Sequence, residues 1–299
     1  MAPMGIRLSP LGVAVFCLVG VGILYHLYAE VISSRLAAFR RKKNIDVREL
    51  LAASVEAAVL GGKEVKKVRA ENSLKEKSKG KTKEGANELL TLGDLLSHRK
   101  MYNLLRNTFP EVTVISEEHD NLVDQAAVWS RVIPAEILDK IEGGKEVPAE
   151  RVTVWIDPLD ATQEYTENLV KYVTTMVCVA VDGKPVIGVI HQPFTGFTAW
   201  ALVHQGSNMS VRSAYSVSPP KVIVSRSHSG KVRSYIHDAF GNSTAIIQAG
   251  GAGGHMTSLK GEDIDYSGTP LTKGGLVASV SVDHKAILGR LPNWDPDQQ

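Results

Sequence analysis

The stretch Val152 to Glu167, VTVWIDPLDATQEYTE, decides how the whole chain is interpreted. Four of its first five residues are apolar and four are β-branched, which predicts a buried strand. Two carboxylates, Asp157 and Asp160, follow at once. Pro158 has no backbone N–H and helps to hold a turn, which leaves the Leu159 carbonyl free to face the same cavity.

A carboxylate, a carbonyl and a second carboxylate are hard oxygen donors of the kind that Mg²⁺ prefers. If the segment turns as one helical step, Asp157 and Asp160 share a face. Alone, however, a D-x-x-D pattern is weak evidence, because an aspartate in a turn after a strand is more often a structural cap. Both interpretations stay open for this segment by itself.

Two further acidic residues favour the metal interpretation. Glu117 also ends a predicted strand, so neighbouring strand ends would bring it beside Asp157, and a shared metal would offset their repulsion. Asp94, in Thr91-Leu92-Gly93-Asp94, interrupts an apolar helical stripe. Such a residue usually lies on the exposed face, and the alternative is that it points into the site with a hydrogen-bonded partner.

Hydrophobic periodicity predicts helices first and strands afterwards. Helices are expected over residues 44–68, 86–107, 230–240 and 283–291, the last one capped by Asp283. Strands are expected over residues 112–115, 152–156, 173–181, 186–191, 197–203, 222–224 and 276–280, with a hairpin turn at 182–184. Residues 118–151 are expected to be an irregular surface loop. This order predicts layered α and β structure with a mostly antiparallel sheet.

Composition narrows the protein class only slightly. The chain has 299 residues, 43% of them hydrophobic and 22% charged, with a net charge of +2. This is ordinary globular composition, and it favours neither a nucleic-acid binder nor an acidic tail. Two cysteines exclude a disulfide framework. Residues 63–83 hold nine Lys/Arg against three Asp/Glu, which predicts a solvated loop or, alternatively, a platform that attracts an anionic substrate.

The N-terminal run from Leu11 to Ala29 carries no charge. Its length approaches the hydrocarbon thickness of about 30 Å at about 1.5 Å per residue, which favours a retained transmembrane anchor over a cleaved signal peptide or a buried core helix. The basic residues that follow favour a cytoplasmic body. The sequons at Asn208 and Asn242 predict glycosylation and point to the lumen instead.

Taken together, the Asp157 motif, the preceding Ser116-Glu117-Glu118 and the helix that begins Thr-x-Gly-Asp resemble the magnesium-dependent, lithium-inhibited phosphatase superfamily. That superfamily contains inositol monophosphatases, inositol polyphosphate 1-phosphatases and bisphosphate nucleotidases. The segments 155–167, 172–181, 224–230 and 253–257 are similar to the bisphosphate nucleotidases that act on 3′-phosphoadenosine 5′-phosphate (PAP) in the Golgi lumen. The resemblance covers nearly the whole chain.

The resemblance implies two or three Mg²⁺ ions in the site. Glu117, Asp157 and the Leu159 carbonyl would bind the first ion, and Asp157 and Asp160 the second. Asp94 with Thr162 would orient and deprotonate the attacking water.

For substrate binding the resemblance implies nucleotide contacts from Ser225, Ser227 and His228. PAP would be the partner, no nucleic-acid polymer would bind, and a homodimer is left open.

The resemblance also implies an inositol-monophosphatase-like α+β sandwich of helices and mixed sheets, carried by a single-pass type II Golgi membrane protein with a lumenal catalytic domain. The expected parts are a tail (residues 1–10), a transmembrane anchor (11–29), a basic stem (30–45), the phosphatase domain (46–291) and a second tail (292–299).

One family feature is missing. The superfamily carries a third metal-binding aspartate in a Trp-Asp-x-x-Ala-Gly segment, whereas residues 248–256 of this chain run QAGGAGGHM. Two stretches that are several tens of residues apart in the relatives are joined near 253–254. Trp294-Asp295-Pro296 does not replace the motif, because it follows the last predicted helix. A catalytically impaired isoform is therefore one alternative. The shared metal motif leaves an inositol-phosphate phosphatase open as another.

Overall fold

The computed structural model describes residues 9–41, 44–81, 87–120, 122–210, 221–225, 232–241, 245–249, 255–268, 276–279 and 284–291. Contacts within the chain divide it into two units, Met1–Asn44 and Ile45–Gln299.

The first unit contains one helix, α1, at Pro10–Arg41. Apolar side chains in its N-terminal half are exposed, among them Leu11 and Phe16. Among the described residues, no helix has both the length and the apolar character needed to cross a membrane. The transmembrane helix expected over residues 11–29 is therefore not supported.

The second unit alternates helices and strands. Its helices are α2 Val47–Ala70, α3 Leu92–Thr108, α4 Ala135–Lys140, α5 Thr162–Thr166, α6 Val232–Phe240 and α7 His284–Leu288. Its first ten strands are β1 Asn44–Asp46, β2 Lys77–Lys81, β3 Asn87–Leu90, β4 Thr113–Ser116, β5 Glu146–Pro148, β6 Val152–Asp160, β7 Thr174–Val181, β8 Lys184–His191, β9 Thr198–Leu202 and β10 Gly206–Ser207. The strands that follow are β11 Lys221–Ser225, β12 Ala245–Ala249, β13 His255–Ser258 and β14 Leu276–Ser279.

A six-stranded sheet in the order β10-β9-β8-β7-β6-β4 organises the unit. Only β4 and β6 pair in parallel, so the mostly antiparallel character that the sequence predicts is confirmed for this sheet. Helices α2 and α3 pack on each other and on this sheet. Buried residues that alternate along the strands, such as Val154 and Val177, meet Leu51 and Leu104 of the helices in one core, as the two-residue period of a strand requires.

Three local predictions are wrong in detail. The helix expected from residue 86 begins only at Leu92, because Thr91 caps α3 and β3 precedes it. Residues 118–151 are not a purely irregular surface loop: they include α4 and β5, and they bury Ile137 and Ile141. The basic stretch 63–83 is not one loop, because it contains the end of α2 and all of β2.

Smaller two-stranded pairings complete the described part of the chain. β11 and β12 are parallel, while β13 and β14 are antiparallel. Helix α7 meets β14, and its His284 is bonded on both ring nitrogens: Nε2 lies 2.8 Å from Thr257 Oγ1 and Nδ1 lies 2.7 Å from Ser279 Oγ. The proposed capping residue of this helix, Asp283, lies outside the described residues.

Candidate metal centre

The two aspartates of the motif lie on one strand, not on a helical turn. Strand β6 continues through the motif to Asp160, with Asp157 opposite Met176 and Asp160 opposite Thr174. Three steps along β6 thus match two along β7, which is a bulge. The expectation that one helical step would bring the two carboxylates together is wrong, and the bulge is the feature that re-aims the strand there.

Several contacts hold the bulged turn in place. Ser97 Oγ of α3 donates to the Pro158 carbonyl at 2.6 Å. Ala161 has a left-handed backbone with φ of 67°, which is uncommon for a residue with a Cβ. Thr162 then opens α5, and its hydroxyl can donate to the Leu159 carbonyl at 3.2 Å. The Tyr165 hydroxyl donates to Val65 O of α2 at 2.8 Å, which ties the motif to the helical layer.

The parallel pairing of β4 with β6 brings Glu117 to the motif. The Glu117 N–H donates to Ile156 O at 3.1 Å. Glu117 therefore lies beside the point where β6 reaches Asp157. Its side chain is 58% exposed, whereas that of Glu118 is 8% exposed. This backbone bond to the residue just before Asp157 confirms the proximity of Glu117 and Asp157 that the strand ends predicted.

Asp94 points inward, not to solvent. It is 1% exposed, and its Oδ2 accepts from the Thr91 N–H at 2.7 Å and from the Thr91 hydroxyl at 2.5 Å. Its Oδ1 lies 3.2 Å from Thr162 Oγ1. Burial raises the pKa of Asp94 to about 6, although the Thr91 hydrogen bonds oppose that rise. A carboxylate whose pKa is raised toward neutral pH is suited to accept a proton during catalysis.

Asp157 has the most strained electrostatic environment of the described groups in the site. Its Oδ1 is buried and has no hydrogen-bond partner among the described residues. Burial, followed by the charges of Glu117 and Asp160, raises the pKa of Asp157 well above its ordinary value. Burial also raises the pKa of Asp160, whose Oδ2 accepts from Thr174 Oγ1 at 3.4 Å. A divalent cation would satisfy the bare oxygen and remove the repulsion.

The carboxylates nevertheless do not form a closed cage. In the part of the chain that the structure describes, no group of three or more His, Cys, Asp or Glu side chains is arranged to enclose a metal ion. A cationic side chain is present instead. Lys79 of β2 places Nζ 3.7 Å from Glu117 Oε1 and in direct contact with Glu118 Oε1. The donor chemistry therefore suits a cation, while the present spacing keeps Glu117 paired with Lys79.

The side chains of the predicted substrate-binding residues lie outside what the structure describes. Ser225 ends β11, and its side chain is not described; Ser227 and His228 lie outside the described residues. Of the two predicted glycosylation sites, Asn242 also lies outside them, whereas the Asn208 amide bridges β9 and β10.

Three contributors to the site were missed: Lys79, Glu118 and Ser97. Sequence signals exist only for the first two, in the basic stretch and the Glu117-Glu118 pair.

This chain is similar to known proteins both in sequence and in fold. The model of the inositol monophosphatase family matches residues 46–242. A Danio rerio protein named inositol monophosphatase 3 is 60% identical over 341 aligned positions that cover 100% of both chains. A Homo sapiens protein named Golgi-resident adenosine 3′,5′-bisphosphate 3′-phosphatase is 49% identical, with 99% of both chains covered. An inositol monophosphatase structure from Anabaena has a TM-score of 0.53 at 15% identity, with 82% of this chain and 97% of that chain covered.

The alignment lengths bear on the missing family segment. The alignment to the Danio rerio protein spans 341 positions, whereas this chain has 299 residues. At least 42 aligned positions, the difference between these two numbers, therefore have no residue of this chain opposite them. The family match ends at residue 242, before the glycine-rich junction at 250–254.

Proposed function

Because the chain belongs to the inositol monophosphatase family, we propose that it is a metal-dependent phosphomonoesterase that removes the 3′-phosphate of PAP, giving AMP and phosphate. The observation that carries the proposal is the buried, unpartnered Oδ1 of Asp157 beside Glu117 and Asp160. The substrate is supported by the names of relatives at about half identity, which specify an adenosine 3′,5′-bisphosphate 3′-phosphatase.

The residues suit two oxygen-liganded cations, and we assign Mg²⁺ to them. Glu117, Asp157 and the Leu159 carbonyl would hold one ion, and Asp157 with Asp160 would hold the other. When bound, such ions neutralise phosphate charge and lower the pKa of bound water. The third metal-binding aspartate of the family has no counterpart in residues 248–256, which run QAGGAGGHM. We therefore expect the second ion to bind more weakly than the first.

Asp94 and Thr162 would handle the proton of the attacking water. The Thr162 hydroxyl lies 3.2 Å from both Asp94 Oδ1 and Leu159 O, and its single proton can be donated to either acceptor. When it donates to Asp94, its oxygen can accept from a water molecule. Asp94, with its pKa raised to about 6, is then a base of suitable strength near neutral pH. Thr91 holds the Asp94 carboxylate in a fixed orientation by its two hydrogen bonds.

We further propose a Golgi location with a lumenal catalytic domain, and nucleotide contacts from Ser225, Ser227 and His228. The Golgi-resident names of the relatives support the location. The resemblance of residues 224–230 to the bisphosphate nucleotidases supports the nucleotide contacts. A membrane anchor over residues 11–29, Asn-linked glycans at Asn208 and Asn242, lithium inhibition and a homodimer stay predictions. Resistance of the full chain to alkaline extraction from membranes would test the anchor.

Two other functions have specific support. The relative at 60% identity is named inositol monophosphatase 3, which favours an inositol phosphate as the alternative substrate. The alignment positions that this chain lacks favour a catalytically impaired isoform.

Phosphate release by the purified full chain, with Mg²⁺ and either PAP or inositol 1-phosphate, separates the three functions. We expect faster release from PAP, abolished in Asp160→Asn. Preference for inositol 1-phosphate would favour the second function. A folded protein that releases phosphate from neither would be the impaired isoform.

A further inference from the structure

The bulge in β6 leaves Pro158 and Leu159 without partners in the ladder that joins β6 to β7. Both residues are buried, and a buried carbonyl without a hydrogen bond is costly. Two hydroxyls from outside the sheet supply the bonds: Ser97 Oγ lies 2.6 Å from Pro158 O, and Thr162 Oγ1 lies 3.2 Å from Leu159 O. Thr162 belongs to the proposed proton path, whereas Ser97 has no assigned part in the site.

The Ser97 bond controls the one backbone torsion of Pro158 that can still rotate. The proline ring fixes φ at about −65°, and the peptide bond is planar, so only ψ is soft. Rotation about ψ swings the Pro158 carbonyl and carries Leu159 with it. A hydrogen bond of 2.6 Å on that carbonyl therefore fixes the direction in which the chain continues to Leu159 and Asp160.

The Ser97 side chain is itself held in place. It is fully buried, and it lies on α3 three residues after Asp94, so the two side chains are neighbours on one face of the helix. Helix α2 closes the other side, since a Cβ added at Gly61 would lie only 2.5 Å from Ser97 Oγ. The second acceptor, Met101 Sδ at 3.4 Å, is weak. The Pro158 carbonyl is thus the strong acceptor that the hydroxyl reaches.

We propose that Ser97 is a positioning residue of the metal centre, which aims the Leu159 carbonyl and Asp160 at the cation by fixing Pro158. The inference rests on the proposed metal site and adds to it a residue that is neither a proposed metal ligand nor a proposed substrate contact. Helix α3 then acts at two positions one turn apart: Asp94 accepts the proton, and Ser97 orients the ligands on β6. Loss of a residue that orients metal ligands typically lowers metal affinity by about 10- to 100-fold.

Calorimetric titration of the full chain with Mg²⁺ tests this role. Ser97→Ala should bind Mg²⁺ about tenfold more weakly than the unmodified chain, because the Pro158 carbonyl is no longer held. Ser54→Ala is the matched control: Ser54 is equally buried, and its hydroxyl donates to Leu50 O at 2.7 Å within α2. The control should bind as the unmodified chain does. Equal affinity in the two folded variants would overturn the proposal.

Ser97→Cys separates loss of the hydrogen-bond donor from loss of packing. Its thiol fills a similar space and donates more weakly than a hydroxyl. Affinity for Mg²⁺ should therefore fall in the order unmodified chain, Ser97→Cys, Ser97→Ala. If the cysteine variant binds more weakly than the alanine variant, volume governs the site and the role of the hydroxyl is wrong. Should Ser97→Ala not fold, unchanged affinity in Ser97→Cys would contradict the proposal in its place.

The outcomes also separate this role from the proposed function. Weaker Mg²⁺ binding by Ser97→Ala, with no phosphate release from PAP or inositol 1-phosphate by the unmodified chain, would exclude the phosphatase and keep the positioning role. Phosphate release by the unmodified chain, with Mg²⁺ affinity unchanged in Ser97→Ala, would remove the role of Ser97 and leave the phosphatase standing. No saturable Mg²⁺ binding by the unmodified chain would overturn both.

Discussion

Two buried polar clusters in this protein differ in how fully their polar atoms are hydrogen-bonded. Around His284, both ring nitrogens are bonded, to Thr257 and to Ser279, at 2.8 and 2.7 Å. In Asp157, one carboxylate oxygen is buried without a described partner, and burial together with neighbouring acids raises the pKa of the carboxyl group. The first cluster stabilises the fold, because a satisfied buried group costs little. The second cluster is electrostatically unfavourable without a ligand, and such clusters are typical of functional sites.

Among substitutions in the two clusters, Asp157→Asn should have the largest effect. We expect phosphate release to fall by roughly 10³-fold, about 4 kcal/mol of barrier, because the shared metal ligand is lost. The metal-free protein should become more stable by about 1 to 3 kcal/mol, since a buried like-charge contact disappears. Urea unfolding in EDTA measures this. A destabilised variant would mean that Asp157 is a structural residue like His284.

A pH series on the metal-free protein tests Asp94. Its folded-state pKa is raised from 3.8 to about 6, so the folded state binds the proton more tightly than the unfolded state. Stability from this group is therefore present below pH 3.8 and is lost as pH rises through about 6, by about 2 to 3 kcal/mol at most. The difference in unfolding free energy between the unmodified chain and Asp94→Asn, taken across pH 4 to 7, should show this slope. A flat difference would contradict it.

The satisfied cluster should respond in the opposite way. Thr257→Val leaves one buried nitrogen of His284 without its hydroxyl partner and should destabilise the protein by about 2 kcal/mol. Activity per folded molecule should not change, because the cluster lies outside the proposed site residues. Thermal unfolding and initial rates at low temperature check both parts. Loss of activity in a fully folded variant would link this cluster to catalysis.

The smallest effect is expected at Asn208. Its Oδ1 accepts from the Trp200 N–H at 2.8 Å, and its Nδ2 donates to Thr198 O at 2.7 Å. Asn208→Asp keeps the acceptor and loses the donor, which should cost about 1 kcal/mol. The same variant removes the sequon, so a change in electrophoretic mobility after expression in a secretory host would reveal a glycan there. An unchanged melting temperature would mean that the amide bridge contributes nothing.

The sequence anticipated elements wherever one signal was strong. Helix α2 and strands β6, β7 and β8 were expected from apolar periodicity, and each occurs within a few residues of its expected bounds. The start of α3 was misplaced because the capping by Thr91 outweighs the helix propensity of residues 87–90. Helix α4 was missed because it is only six residues long, which is too short for its apolar residues to establish a repeated period.

The candidate site shows the same division. Asp157, Asp160, Glu117 and Asp94 were all found from their types and from the strand ends or helix on which they lie. Their relation to one another was only partly foreseen: the bulge between Asp157 and Asp160 leaves no mark in composition. Lys79 is one of nine basic residues in the stretch 63–83, and the local sequence does not show which of them contacts the acidic residues.

Residue type and order alone indicated hard oxygen ligands after a strand, because those are local properties of the chain. The threonine and the aspartate for the proton, and the missing segment, came from the resemblance of the sequence to a known family. The tertiary structure alone shows that Asp157 Oδ1 is buried without a described partner, that neighbouring acidic residues repel it, and that Lys79 contacts the acidic residues. Burial and charge coupling depend on distances between residues far apart in the chain, and those distances exist only once the sheet and the hairpin have formed.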